Sequence, residues 1–220
     1  ECPDYIPFRE GAFLSVSPQG LPHDGEDWQN VYQSGYFPVL GELAEGNLGA
    51  FTEWDRGFDF YAPQTFEAPD GRRILFAWMG LPDIPYSTPT TAEGWQHCLT
   101  LPRVLTCDGG RVLQNPVPEL DALLGEPLPL EDGSRSVVPL PFDFSACTDG
   151  DFSVVIADGL ELSYERQQSL FTMKFTQDSL GCGRTVRTAR LPSCGQLRMI
   201  TDHSGIEVYL DGGACVFSTR

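Results

Sequence analysis

The residues best able to do chemistry stand together at Glu1-Cys2-Pro3-Asp4, two carboxylates flanking a thiol, with the aromatic Tyr5 next. Paired carboxyl groups beside aromatic rings suit work on sugars. One carboxyl protonates a leaving oxygen, the other acts at the anomeric carbon, and ring faces cover the apolar side of the sugar. From residue types alone the signal is weak, because carboxylates on a solvated edge are common. The acidic tetrapeptide runs straight into the apolar Tyr5, Ile6 and Phe8, which reads as the interior of a longer chain rather than a frayed tail.

Composition removes several other classes. The 31 acidic and 14 basic residues give a net charge of −17, so no basic footprint for nucleic acid is present. No run of eighteen apolar residues occurs, and no membrane-spanning helix is predicted. Seven cysteines without a CxxC pair and three scattered histidines (His23, His97 and His203) offer no metal spacing, so neither a metal nor another cofactor is expected. Free thiols favour a cytoplasmic site, with secretion left open.

The elements that must position these groups are short strands. GAFLSV (11–16), YFPVLGEL (36–43), RILFAWMG (73–80) and HCLTLPRVLT (97–106) are separated by turn signals such as PDG (69–71) and CDGG (107–110). Groups of short strands every few tens of residues suit propeller blades. NPVPELDALLGE (115–126) stands apart. Its prolines near the start, Leu120, Leu123 and Leu124 at helical spacing and Gly125 as a stop predict a linker helix at a domain boundary. Beyond it, strands return at 151–158, 169–177, 196–202 and 205–220, the last a hairpin turning at Asp211-Gly212-Gly213, and these predict a β-sandwich.

Four stretches in order carry a resemblance: ECPD (1–4), RGFDFYAPQTF (56–66), RILFAWMG (73–80) and GWQHCLTLPRVL (94–105), with EVYLDGGACVFSTR (207–220) as a terminal hairpin. The series resembles the invertase, or β-fructofuranosidase, family of glycoside hydrolases, which includes sucrose-6-phosphate and fructan hydrolases. That resemblance implies an all-β architecture, the last blades of a five-bladed β-propeller followed by a β-sandwich. The expected domains are a partial propeller over 1–114, the linker over 115–126 and a sandwich over 127–220, trimmed at its C-terminal end. The family's NDPNG motif, which holds the nucleophile, and its RDP motif are absent, so the chain is expected to be the C-terminal part of such an enzyme. Ala77 also stands where many members have glycine.

By the same resemblance Glu1 is the general acid/base, and fructose-containing sugars are the expected partners. A retaining glycosidase needs its second carboxyl about 5 Å away. Cys2 is expected to support the acid by excluding water, with simple packing between blades as the alternative. Asp4 is expected to anchor the loop or contribute charge. Asp59 is expected in the sugar cleft, with turn capping as the alternative. Tyr61 and Gln64 are candidates for substrate contact or second-layer support, and Trp78 for stacking on a sugar, with core packing open for the aromatics. Trp95 and Arg103 are read as structural, closing the propeller onto the linker. The competing functional reading is a catalytically inactive carbohydrate-binding or structural fragment. A propeller glycosidase acting on arabinose-containing chains is a third reading, disfavoured by ECPD. The sandwich could also serve a homodimer of the parent.

Overall fold

Alternating burial along the chain turns most of its apolar segments into strands. In GAFLSV, for instance, Phe13 and Ser15 point inward, and in RVLQNP Val112 and Gln114 do so. The computed structural model describes residues 1–220 and holds seventeen strands: β1 (Asp4–Phe8), β2 (Gly11–Val16), β3 (Gly35–Val39), β4 (Thr52–Glu53), β5 (Tyr61–Glu67), β6 (Arg73–Met79), β7 (Cys98–Leu99), β8 (Arg103–Asp108), β9 (Arg111–Pro116), β10 (Asp143–Cys147), β11 (Phe152–Ile156), β12 (Leu160–Glu165), β13 (Leu170–Phe175), β14 (Val186–Arg190), β15 (Gln196–Thr201), β16 (Ile206–Leu210) and β17 (Cys215–Thr219). Every pairing is antiparallel.

The strands form four sheets. Two are meanders, β1-β2-β3-β4 and β5-β6-β8-β9, the second with β7 paired to the end of β6. Ile6, Phe13, Tyr36, Trp54, Phe60 and Leu75 form their shared core, as expected of adjacent propeller blades. The other two, β11-β12-β13-β14 and β10-β15-β16-β17, enclose a second core that includes Leu162, Phe171, Met173, Leu197, Val208 and Phe217. Two antiparallel sheets sharing one core are a sandwich, and the predicted all-β class holds.

The linker differs in detail from the predicted helix. Strand β9 runs through Pro116, and only Pro118–Leu123 coil, as a 3-10 helix. Of its leucines, Leu120 is partly buried while Leu123 and Leu124 are exposed. A 3-10 turn repeats every three residues, so the apolar spacing of an α-helix has no continuous face to bury.

Propeller and sandwich are joined by a dry seam. Residues 56–59 run beside β17, with Arg56 N–H donating to Val216 O at 2.8 Å and Asp59 N–H to Ser218 O at 3.1 Å. Between them the backbones approach so closely that a Cβ on Gly57 would lie 2.0 Å from Ser218 O, and at the turn before β17 one on Gly213 would lie 1.9 Å from Gln114 O of β9. Gly213 also has a φ of 87°, in the left-handed region. Gly57→Ala and Gly213→Ala should therefore each destabilise the chain at or above the ~1–3 kcal/mol typical of overpacking. Denaturant unfolding of the two variants checks this, and a midpoint equal to that of the unsubstituted chain would disprove the close approach.

Arg103 fills the centre of the seam with no exposed surface. Its Nη2 donates to Glu207 at 2.6 Å, Asp55 at 3.0 Å and Ser218 at 2.8 Å, while Nε reaches Glu207 at 3.0 Å and Nη1 reaches Gln114 at 3.0 Å. The structural role read for Arg103 is thus seen, but it ties Asp55 and Gln114 of the propeller to Glu207 and Ser218 of the sandwich rather than to the linker. Trp95 remains 42% exposed, with the Arg220 guanidinium 4.8 Å from its ring centroid.

Candidate active site

Strand β5 places the one hydrogen bond that selects Glu1. The Tyr61 hydroxyl donates to Glu1 Oε2 at 3.1 Å across sixty positions of sequence. Burial first, and the Glu1 carboxylate after it, push the Tyr61 hydroxyl above its usual range, so it stays protonated and able to donate. A register shift between Tyr61 and Gln64 lets β5 aim both side chains at this corner. Ala62, inside the irregularity, has a φ of 50° and donates its N–H to Ser34 Oγ at 3.2 Å.

The ECPD loop is pinned at every residue that has a polar handle. Glu1 O accepts from Ser17 N–H at 2.9 Å. Cys2, at a φ of 49°, occupies the left-handed region, where a residue other than glycine is uncommon. Its carbonyl accepts from Gln64 Nε2 at 3.3 Å. Asp4 Oδ2 accepts from both the N–H and the hydroxyl of Thr65, each at 2.7 Å. Asp4 therefore anchors the loop to β5. The Glu1 side chain is exposed.

The remaining predicted residues divide. Tyr61, Gln64, Cys2 and Asp4 gather around Glu1: Tyr61 bonds its carboxylate, Gln64 bonds the Cys2 carbonyl, and Asp4 bonds Thr65. Trp78 pairs with Tyr61 in register, and its indole is wedged edge-on between Tyr61 and His97, at centroid distances of 6.4 and 4.8 Å. That placement supports the packing alternative. Burial pushes the His97 imidazole below its usual range, so it packs there as a neutral ring.

Asp59 is corrected. It has no exposed surface, and its Oδ2 is held by Arg184 at 3.2 Å, the Thr219 hydroxyl at 3.2 Å and Arg220 N–H at 3.0 Å. A carboxylate enclosed this way fastens the seam and does not face a sugar. Sequence gave no sign of this, because its cation lies 125 positions away.

Two residues near the site were missed. The Tyr32 ring lies 6.0 Å from that of Tyr61, and its hydroxyl donates to Asp83 at 2.8 Å. The hydrogen bond to Asp83 raises the Tyr32 hydroxyl above its usual range. Both residues sit in turn-rich loops with no periodicity, so only the fold could bring them together.

The site thus holds one exposed carboxyl bonded to a phenol on a two-blade face, one of the two carboxyl groups that glycosidic chemistry would need. Residues 1–116 match the model of the glycosyl hydrolases family 32 N-terminal domain, and the chain belongs to that family. The sucrose-6-phosphate hydrolase of Bacillus subtilis is 39% identical over the whole chain, which covers 48% of that relative. The sucrose-6-phosphate hydrolase of Escherichia coli is 32% identical, again over the whole chain and 49% of the relative. The solved structure of sucrose-6-phosphate hydrolase from Lactobacillus gasseri superposes with a TM-score of 0.86 at 25% identity, over all of this chain and 49% of the other. The chain thus spans about half the length of the relatives it matches.

Proposed function

We propose that residues 1–220 supply the acid/base half of a retaining β-fructofuranosidase that cleaves sucrose, sucrose 6-phosphate or short fructans. The observation that carries this reading is the exposed Glu1 carboxylate held by the Tyr61 hydroxyl, inside a matched family 32 domain. The names of the relatives point to sucrose 6-phosphate as the first substrate to try. Glu1 protonates the leaving glucosyl oxygen and then takes a proton from the water that releases fructose. Tyr61 fixes the carboxyl rotamer, Gln64 and Cys2 fix the backbone behind it, and Asp4 ties the loop to β5. The nucleophilic carboxylate comes from a segment outside these residues, consistent with a chain about half as long as its relatives. The seven free thiols support a cytoplasmic setting. No helix is long and apolar enough to cross a membrane.

The test uses the complete protein that carries this segment. Sucrose 6-phosphate should be cleaved to release fructose, and proton NMR of the first product should show the β-anomer, as double displacement requires. Absence of fructose release on phosphorylated and unphosphorylated sucrose alike would overturn the reading. In the same protein Tyr61→Phe should lower kcat/KM by about 10–100-fold, the worth of a hydrogen bond to a charged group. The loss should fall on kcat rather than KM, because the phenol acts through Glu1. An unchanged kcat would remove Tyr61 from the site.

A further inference from the structure

A cavity of about 250 Å³ opens on the seam, below the ~300–1,000 Å³ usual for drug-sized ligands and of a scale for a small one. Phe58, Ile84 and Tyr86 line it from the propeller side, and Arg184 and Arg187 from the sandwich side. None of its lining residues is acidic, in a chain where acids outnumber bases by 31 to 14.

Most arginines that cross this seam meet a carboxylate; Arg220, on Thr90 and Trp95 away from the cavity, and Arg187, on its lining, do not. Arg103 meets Asp55 and Glu207, Arg184 meets Asp59, and Arg190 meets Glu26. Arg187 meets no carboxylate. Its Nε and Nη2 donate to Asn30 Oδ1 at 2.9 and 2.7 Å, and its Nη1 to Val186 O at 2.8 Å. Those acceptors are neutral, and one N–H stays free on each terminal nitrogen. The guanidinium is half-buried and lies 4.2 Å from the Phe58 ring centroid. Burial holds it below the usual arginine range, outweighing the attraction of Tyr86, Asp59 and Glu53, none of which bonds to it.

We propose that the seam cavity is a binding site for a small phosphate-type oxyanion, free phosphate or the phosphate of a monosaccharide ester, with Arg187 as its charge partner. A planar guanidinium with free N–H groups on both terminal nitrogens suits two oxygens of one phosphate. Asn30 orients the fork, and the Phe58 and Ile84 walls accept a carbon skeleton. None of the residues that touch Glu1 lines the cavity, so the site does not depend on the reading of the active site. A net charge of −17 repels anions in general, and saturable anion binding here demands a local site.

The experiment is calorimetric titration of the 220-residue chain at low ionic strength with inorganic phosphate, glucose 6-phosphate and glucose. Both phosphates should saturate below about 10 mM and glucose should not. Glucose 6-phosphate binding at least tenfold tighter than phosphate marks the sugar ester as the ligand, and equal affinities mark the free anion; either result supports the site. Arg187→Gln should weaken phosphate about tenfold or more, and Arg187→Lys less. Thr185→Glu, an exposed substitution on the cavity lining, should do the same without touching the seam contacts, which keeps the test valid if Arg187→Gln fails to fold. No saturation by either phosphate, or binding unchanged in Thr185→Glu and in any folded Arg187→Gln, would overturn the proposal.

Discussion

Glu1→Gln in the complete enzyme should lower sucrose 6-phosphate hydrolysis by about 10²–10⁴-fold, the usual worth of a general acid. Glutamine keeps the shape of the side chain and can still accept from Tyr61, so the loop pinned by Ser17, Gln64 and Thr65 stays in place. What disappears is the proton for the leaving oxygen. A fructoside with an activated leaving group departs with little protonation, so its fructosylation step should lose much less. Both substrates need the same group as base in the second step, which makes pre-steady-state measurement the right comparison. Equal losses on the two substrates in the first step would show that Glu1 is not the acid.

Arg103→Met should cost about 3–5 kcal/mol of stability, the penalty for stranding buried carboxylates by removing their cation. For a chain of this size that lowers the Tm by roughly 6–20 °C. Burial works against the Arg103 charge, but Glu207 and Asp55 outweigh it and hold the guanidinium above its usual range. Without the arginine, Asp55 keeps Gly57 N–H and both groups of Ser218, and Glu207 keeps Leu101 N–H and the Tyr209 hydroxyl. Those donors are neutral and leave two carboxylates facing one another in a dry space. Scanning calorimetry on this chain reads the effect. A variant in which Arg103, Asp55 and Glu207 are all apolar should recover much of the loss, because a filled apolar site is often as stable as a buried ion cluster. A Tm within 2 °C or so of the parent in Arg103→Met would refute this account of the seam.

Much of the strand order could be read from sequence because each strand buries alternate residues against its own sheet, a local pattern. GAFLSV, RILFAWM and QLRMIT each became a strand within a residue or two of the expected bounds. The Glu1 loop was legible only through the likeness of ECPD and its companion motifs to a family, since a Glu and an Asp by themselves mark nothing. Asp59 shows where such reading stops. A carboxylate in an aromatic strand looks the same in sequence whether it meets a sugar or an arginine, and the choice was made by Arg184, far along the chain. Tyr32 and Asp83 were invisible for the same reason. In the linker, Leu120, Leu123 and Leu124 had the spacing of an α-helix, but only Leu120 is partly covered and the other two stay exposed, so spacing alone did not make a buried face.

The way β17 lies against residues 56–59 constrains how this protein can change by exchange of parts. A recombined gene that kept these blades but took its sandwich from a distant relative would inherit Gly57 without the backbone it was thinned to meet, and Arg103 without Glu207. Only two positions separate Asp59 from Tyr61, so a poor join would be transmitted directly to the phenol that holds Glu1. Chimeras should therefore survive only when the segments around 55–59, 101–103 and 114 travel with 207–220. Although they form two cores, the halves of this chain are one hereditary unit.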